Sequence, residues 1–208
     1  MATLETSPPR VPESLPLSAY FKTGWGLFKQ YPTGFVGFCL LNLLIQALLN
    51  SLSYVGAVAS AVISTPLFMG NFIVSAKLLQ GQAPEFRDFF AGFQYLLPLL
   101  LLSVVAGLFI GIGTLLLIIP GVYLAVAYMF ASYLVVDRRL DFWPAMELSR
   151  LTINPRWFGF FAFMLLLILL NLLGALLLGV GLLVTIPLSF CVVTVAFAEI
   201  FGLQSKEY

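Results

Sequence analysis

Asn42, Gln46 and Asn50 are the side chains with the clearest chemical capacity in this sequence. Four residues separate each from the next, so on a helix they share one face. Carboxamides in a row can line a pocket for a lipid headgroup or a small solute. They can also bond to a neighbouring helix, at roughly 1 kcal/mol per contact. Asn171 is a candidate counterpart. A second group, Asp137, Asp141 and Glu147, gathers acids, but Arg138, Arg139 and Arg150 stand among them and ion pairing is the expected use. Lys77 and Glu199 follow Pro66 and Pro187 at similar distances and could pair with each other, while snorkelling to an interface is the other role open to Lys77. Tyr123, Tyr128, Ser132 and Tyr133 could form a polar patch, with ordinary aromatic packing as the alternative. Cys39 and Cys191 sit in apolar runs and are expected as buried small hydrophobes rather than a redox pair. The chain has no His, which removes the commonest general base and metal ligand. No catalytic, metal-binding or cofactor-binding residue is expected.

The elements that carry these side chains follow from charge and hydropathy. Hydrophobic residues make up 61% of the 208, and charged residues 9%. A water-soluble domain carries charge on about a quarter of its residues. Lipid is therefore the expected solvent. Three stretches hold no charge at all: Gln30 to Ala76, Phe89 to Val136 and Trp157 to Ala198, of 47, 48 and 42 residues. A helix crosses a bilayer core with about 20 residues, so each stretch fits two crossings and a tight turn. Backbone groups in lipid must bond within a helix or a closed barrel, and the Leu-, Val- and Phe-rich runs lack the alternation of a barrel.

The predicted fold is an all-α membrane protein with six transmembrane helices. The spans fall at 33–50, 55–77, 96–111, 114–136, 157–174 and 179–201, making hairpins over 33–77, 96–136 and 157–201. The turns are expected at Asn50–Ser53, at Gly111-Ile112-Gly113 and between Gly174 and Gly181. Residues 17–203 then form one domain. Residues 1–16, polar and proline-rich, are expected as a disordered arm, and 204–208 as a tail.

Arg10, Lys22, Lys29, Lys77, Arg87, Arg138, Arg139, Arg150, Arg156 and Lys206 all lie outside the charge-free stretches. The turns between paired spans carry no charge. The positive-inside rule places both termini in the cytoplasm. Trp25, Trp143 and Trp157 fall beside spans on that same face, as interfacial anchors would.

The three hairpins share a pattern. A short amphipathic stretch precedes each and is expected to lie at the interface. Before the first, Phe21, Trp25 and Phe28 share a face. Before the second, Phe86, Phe89, Phe90 and Phe93 form a stripe. Before the third, Ala145, Leu148 and Thr152 oppose Glu147, Arg150 and Asn154. Pro32, Pro98 and Pro155 stand near each first span; Pro66, Pro120 and Pro187 are expected inside each second span, as kinks. Gly107 and Gly111 form a GxxxG, and Gly56 with Ser60 a small-residue pair, both suited to close helix contact.

The run Ile118-Ile119-Pro120-Gly121-Val122-Tyr123-Leu124, then Val135-Val136-Asp137, Ala145-Met146-Glu147-Leu148-Ser149-Arg150 and Trp157, resembles a family of uncharacterised bacterial six-span integral membrane proteins. It is also similar to the membrane domain fused to some glycerophosphodiester phosphodiesterases. The resemblance covers most of residues 18–202. It implies six helices and no established chemistry in the domain itself, since the catalytic residues of those phosphodiesterases belong to a separate soluble domain, so none is carried over; a bacterial inner membrane is the expected location. The expected function is that of a non-enzymatic scaffold or accessory subunit. The alternative is a lipid-handling protein or small-solute transporter with a polar-lined cavity. Membrane lipids and other membrane subunits are the expected partners, and no basic patch suggests nucleic acid.

Overall fold

Each charge-free stretch folds as a helical hairpin, because within it nothing but the helical ladder can satisfy the backbone in lipid. The computed structural model describes residues 9–177 and 179–204, apart from the side chains of Ser53 and Val55. Six helical segments are long and apolar enough to cross a membrane. The elements are α1 (Leu17–Phe28), α2 (Pro32–Ser51), α3 (Ser53–Leu79), a 3-10 helix (Phe86–Tyr95), α4 (Leu96–Leu116), α5 (Ile118–Ala127), α6 (Ala131–Arg138), α7 (Phe142–Ile153), a 3-10 turn (Asn154–Arg156), α8 (Trp157–Leu176) and α9 (Leu182–Phe201). No strand occurs among the described residues. This is the all-α, three-hairpin membrane fold.

The hairpins are α2–α3, α4 with α5 and α6, and α8–α9, and the arms of each pack on one another. The first and third turns fall where glycine and small polar residues place them. The second does not. Helix α4 runs through Gly111 and Gly113 to Leu116, and the chain reverses at Leu117, which is extended at φ −156 and ψ 132. Glycine inside an apolar helix does not force an end when lipid offers the backbone no other partner. Gly113 instead brings the two arms together: a Cβ there would lie 3.0 Å from the amide nitrogen of Gly121. Gly107 and Gly111, the expected contact pair, face open space within the chain.

The second spans form the inner layer. Over their most apolar windows, 44, 44 and 50% of their residues are buried, against 28, 22 and 17% for the segments that contain the first spans. Phe72 of α3, Tyr133 of α6 and Phe197 of α9 meet at the centre, with ring centroids 4.8, 5.5 and 5.9 Å apart. Phe130 joins them from the α5–α6 junction. All four are buried, so the axis of the molecule is filled with aromatic rings.

The amphipathic stretches stand where the sequence places them, and each folds back along the second span of the hairpin before it. The 3-10 helix packs on α3, α7 on α6 and α5, and α1 on α9, which closes the ring. Close backbone approach makes this possible. A Cβ on Gly92 would lie 2.1 Å from the carbonyl of Pro66, one on Gly70 1.8 Å from that of Phe89, and one on Gly24 2.6 Å from Val192. The buried stripe of α1 is accordingly Tyr20, Gly24, Leu27 and Phe28, and Trp25 is left exposed. In the 3-10 helix it is Asp88, Phe89, Gly92 and Tyr95, so Phe86 and Phe93 are exposed. In α7 it is Ala145, Met146, Ser149, Thr152 and Ile153.

Two further expectations are corrected. Pro120 lies in the first turn of α5, where its missing N–H costs no hydrogen bond, and does not kink the span. That span breaks at residues 128–130 instead. Ser149 bridges the break: its hydroxyl donates to the carbonyl of Ala127 (2.8 Å) and accepts from the amide of Phe130 (3.3 Å). Pro66 and Pro187 do lie inside α3 and α9. Residues 9–16 are not a loose arm. The Arg10 amide donates to the Ile200 carbonyl (2.8 Å), the Arg156 guanidinium donates to the Glu13 carbonyl, and Val11 and Leu15 pack on the core. Residues 1–8 and 205–208, with Lys206, lie outside the described residues.

Candidate intramembrane site

Asn42 is the eleventh residue of α2, roughly 15 Å along it and so near the middle of a core about 30 Å thick. It is buried against α3 and α9. With Cys39 and Gln46 of α2, Phe68 and Asn71 of α3 and Ile186 of α9, it lines a cavity of about 80 Å3. The two prolines flank this place. Phe68 follows Pro66 by two residues and Ile186 immediately precedes Pro187, so the interrupted ladders of both inner helices border the cavity.

The amides divide their tasks. Gln46 Nε2 donates to Asn42 Oδ1 across 3.4 Å, and the Ser60 hydroxyl donates to Gln46 Oε1. This chain ties α2 to α3. Asn50, the third member of the predicted row, turns back on its own helix, where its Nδ2 donates to the Gln46 carbonyl (2.8 Å), and it is exposed. Asn71 is 3% exposed and its Oδ1 has no hydrogen-bond partner. The sequence reading missed it. The signal was the pair Asn71 and Ser75, one helical turn apart in the same span.

Asn171 comes close to this group. It lines a second, open hollow of about 270 Å3 together with Phe68, Ile186, Ser189 and Phe190. Phe68 and Ile186 therefore wall both hollows. Asn171 Nδ2 donates to the Leu167 carbonyl and to the Ser189 hydroxyl, both at 2.8 Å. A carbonyl only accepts, so this orients the amide and leaves Asn171 Oδ1, also buried, without a partner. Two acceptors thus go unmet at membrane depth, each at a cost of about 1–3 kcal/mol.

The charged residues are engaged elsewhere. Lys77 does not pair with Glu199. Its ammonium lies 2.9 Å from Asp88, with both side chains largely covered. Glu199 neighbours Tyr20 of α1. Burial, and then the Glu199 carboxylate, push the Tyr20 hydroxyl above its ordinary range. The acids before the third hairpin are separated. Asp137 is buried and accepts from the Gln204 amide at 3.1 and 3.2 Å, while Glu147 holds Arg150 at 2.7 Å. Arg138 is buried, donates to the Phe201 carbonyl (2.6 Å) and sits over that residue's ring. The tyrosines do not gather into one patch: Tyr133 joins the central rings, and the Tyr123 hydroxyl donates to Asn154. Cys39 and Cys191 are free and buried, and Cys191 lies 3.3 Å from the Ser75 hydroxyl. Of the tryptophans, Trp25 and Trp143 are exposed. Trp157 is half-buried at the start of α8, with its indole N–H donating to the Tyr123 carbonyl (3.2 Å). Among the described residues no group of three His, Cys, Asp or Glu side chains could hold a metal ion.

No protein-family model, curated protein or solved structure matches this chain.

Proposed function

We propose that this chain is a non-enzymatic membrane protein that acts by lateral contact within the bilayer, as a scaffold or accessory subunit of a larger membrane assembly. The observation that supports this most is the distribution of its packing. The axis is occupied by the buried rings of Phe72, Phe130, Tyr133 and Phe197. Two buried carboxamide oxygens without a partner, those of Asn71 and Asn171, lie to the side, between hairpins one and three. A lateral face with such capacity suits association with another membrane component, since apolar surface alone gives helices no preference over lipid. The proposed setting is a bacterial inner membrane with both termini in the cytoplasm, on the charge asymmetry of the loops and the family resemblance.

The test is isolation of the full chain in mild detergent from the cells that make it. A membrane subunit in fixed ratio is the expected result. Solute flux or catalytic turnover by the purified chain in liposomes overturns the reading. Orientation is read separately, by single cysteines at Leu52 and Leu117 in a chain without its own two. Labelling of both from the outer face alone is expected, and labelling from the cytoplasmic face alone refutes the topology.

A second reading, that of a lipid-handling protein, is favoured by one observation: the amide-lined cavity adjoins an apolar hollow on the outside of the bundle.

A further inference from the structure

The 80 Å3 cavity differs from ordinary interhelical glue in three respects. First, its lining comes from three helices, α2, α3 and α9, and the Gln46–Asn42 bond leaves Asn71 out. Second, Asn71 lines it, is 3% exposed, and keeps an acceptor without a partner. Third, the cavity shares Phe68 and Ile186 with the larger hollow that holds Asn171 and its own unpartnered oxygen. A buried polar group of this kind is stable only when something bonds to it.

The lining settles the class of that something. Within the cavity the Asn71 oxygen waits for a donor, so the occupant carries an O–H or N–H group. No Lys, Arg, Asp or Glu lines either hollow, so a phosphate or an ammonium would find no counter-charge at a depth where burying an ion is costly. The occupant is therefore uncharged. The cavity is discrete and small, which suits one polar group rather than a neighbouring helix along its length. Its rim is apolar and open to the side: Phe68 and Leu43 are 39 and 47% exposed, and Phe68 stacks on Phe190 at 5.8 Å. A group entering there brings an apolar chain that lies over the second hollow.

We infer that the cavity between α2, α3 and α9 is a binding site for the hydroxyl group of a neutral lipid that enters sideways from the bilayer. The hydroxyl donates to Asn71 and accepts from the amides of Asn42 or Gln46, and the acyl chain leaves over Phe68. A turn about the last torsion of Asn71, which is soft, presents its oxygen to the ligand. The inference rests on the membrane fold and concerns this cavity mouth alone, so a protein subunit bound at another face leaves it intact.

The full chain in phosphatidylcholine nanodiscs is exposed to a diacylglycerol with a photoreactive diazirine near the start of one acyl chain, and the linked peptides are mapped. Labelling at Leu43, Phe68 or Ile186 is expected, displaced by unlabelled dioleoylglycerol and not by its methyl ether. Asn71→Leu weakens that competition about five- to tenfold, the value of one hydrogen bond. Gln46→Leu, at a less buried position, gives a second reading should the first variant fold poorly. Equal displacement by the ether, labelling spread evenly over α4 and α8, or Asn71 and Gln46 variants that label as the wild type each overturn the inference. So does a benzoylphenylalanine placed at Leu43 that links to a protein rather than to lipid. That last outcome would leave the subunit reading standing, whereas a chain that binds the glyceride and isolates without a partner would do the reverse.

Discussion

Lys77 and Asp88 show how this chain uses its few charges. The pair is largely covered, and it fastens the end of α3 to the segment that leads into the second hairpin. Removing one partner leaves the other charge uncompensated at a cost of about 3–5 kcal/mol, whereas replacing both with apolar groups of similar size is often neutral. Asp88→Leu is expected to destabilise the chain in detergent by about that amount, and Lys77→Met with Asp88→Leu to recover most of it, as read from denaturant unfolding. Tyr20 gives a pH signature. Its folded value is raised above the ordinary 10.0, so the stability it contributes is complete below pH 10 and is lost as pH rises through the folded value. Titration of tyrosinate absorbance is expected to place Tyr20 among the phenols that ionise only as the protein unfolds, and Tyr20→Phe lowers the amplitude of that phase by one phenol. Among single residues, the sequence made Asn42, Gln46 and Asn171 visible because polar groups stand out in apolar runs. It could not assign Lys77, since Asp88 is eleven positions away and reaches it only through the fold of the intervening loop.

Elements were legible to the extent that lipid dictates them. The absence of charge over 42 to 48 residues fixes two crossings per stretch, and six spans follow. Turns are a weaker signal, because glycine has two uses in a membrane. At Gly111 it was read as a break, yet the helix passes through it, and the chain reverses at Leu117, a residue with no turn propensity. The α5–α6 break was invisible for a similar reason. No proline marks it; Ser149, nineteen residues downstream of Phe130, bonds to both sides of it. Ser149→Ala is expected to leave the freed groups at Ala127 and Phe130 unsatisfied and to cost about 1–3 kcal/mol in unfolding measurements. Glycine's two uses can be separated directly. Gly70→Ala and Gly92→Ala drive a methyl into backbone and are expected to lower the melting temperature in detergent, while Gly107→Ala meets nothing within 4 Å and is expected to leave it unchanged or raise it.

At the scale of the whole molecule, the three hairpins are joined by one repeated device: the segment entering each hairpin seats itself on the second span of another. The repeated aromatic stretches made the repeat visible in the sequence, but an amphipathic helix can rest on a bilayer or on a protein with the same pattern. The deciding groups were small ones, Gly24, Gly70 and Gly92, whose value lies in the backbone they allow to approach. The seat of α1 is on α9, at the far end of the chain. Synthesis at ribosomal speed separates the two by roughly 10–30 s. During that interval α1 lacks the surface that covers most of its buried stripe, and the growing protein must keep an oily helix waiting until its last crossing emerges. Birth order and finished architecture therefore run in opposite directions, and chains interrupted before residue 182 should be conspicuous to the quality-control proteases of their membrane.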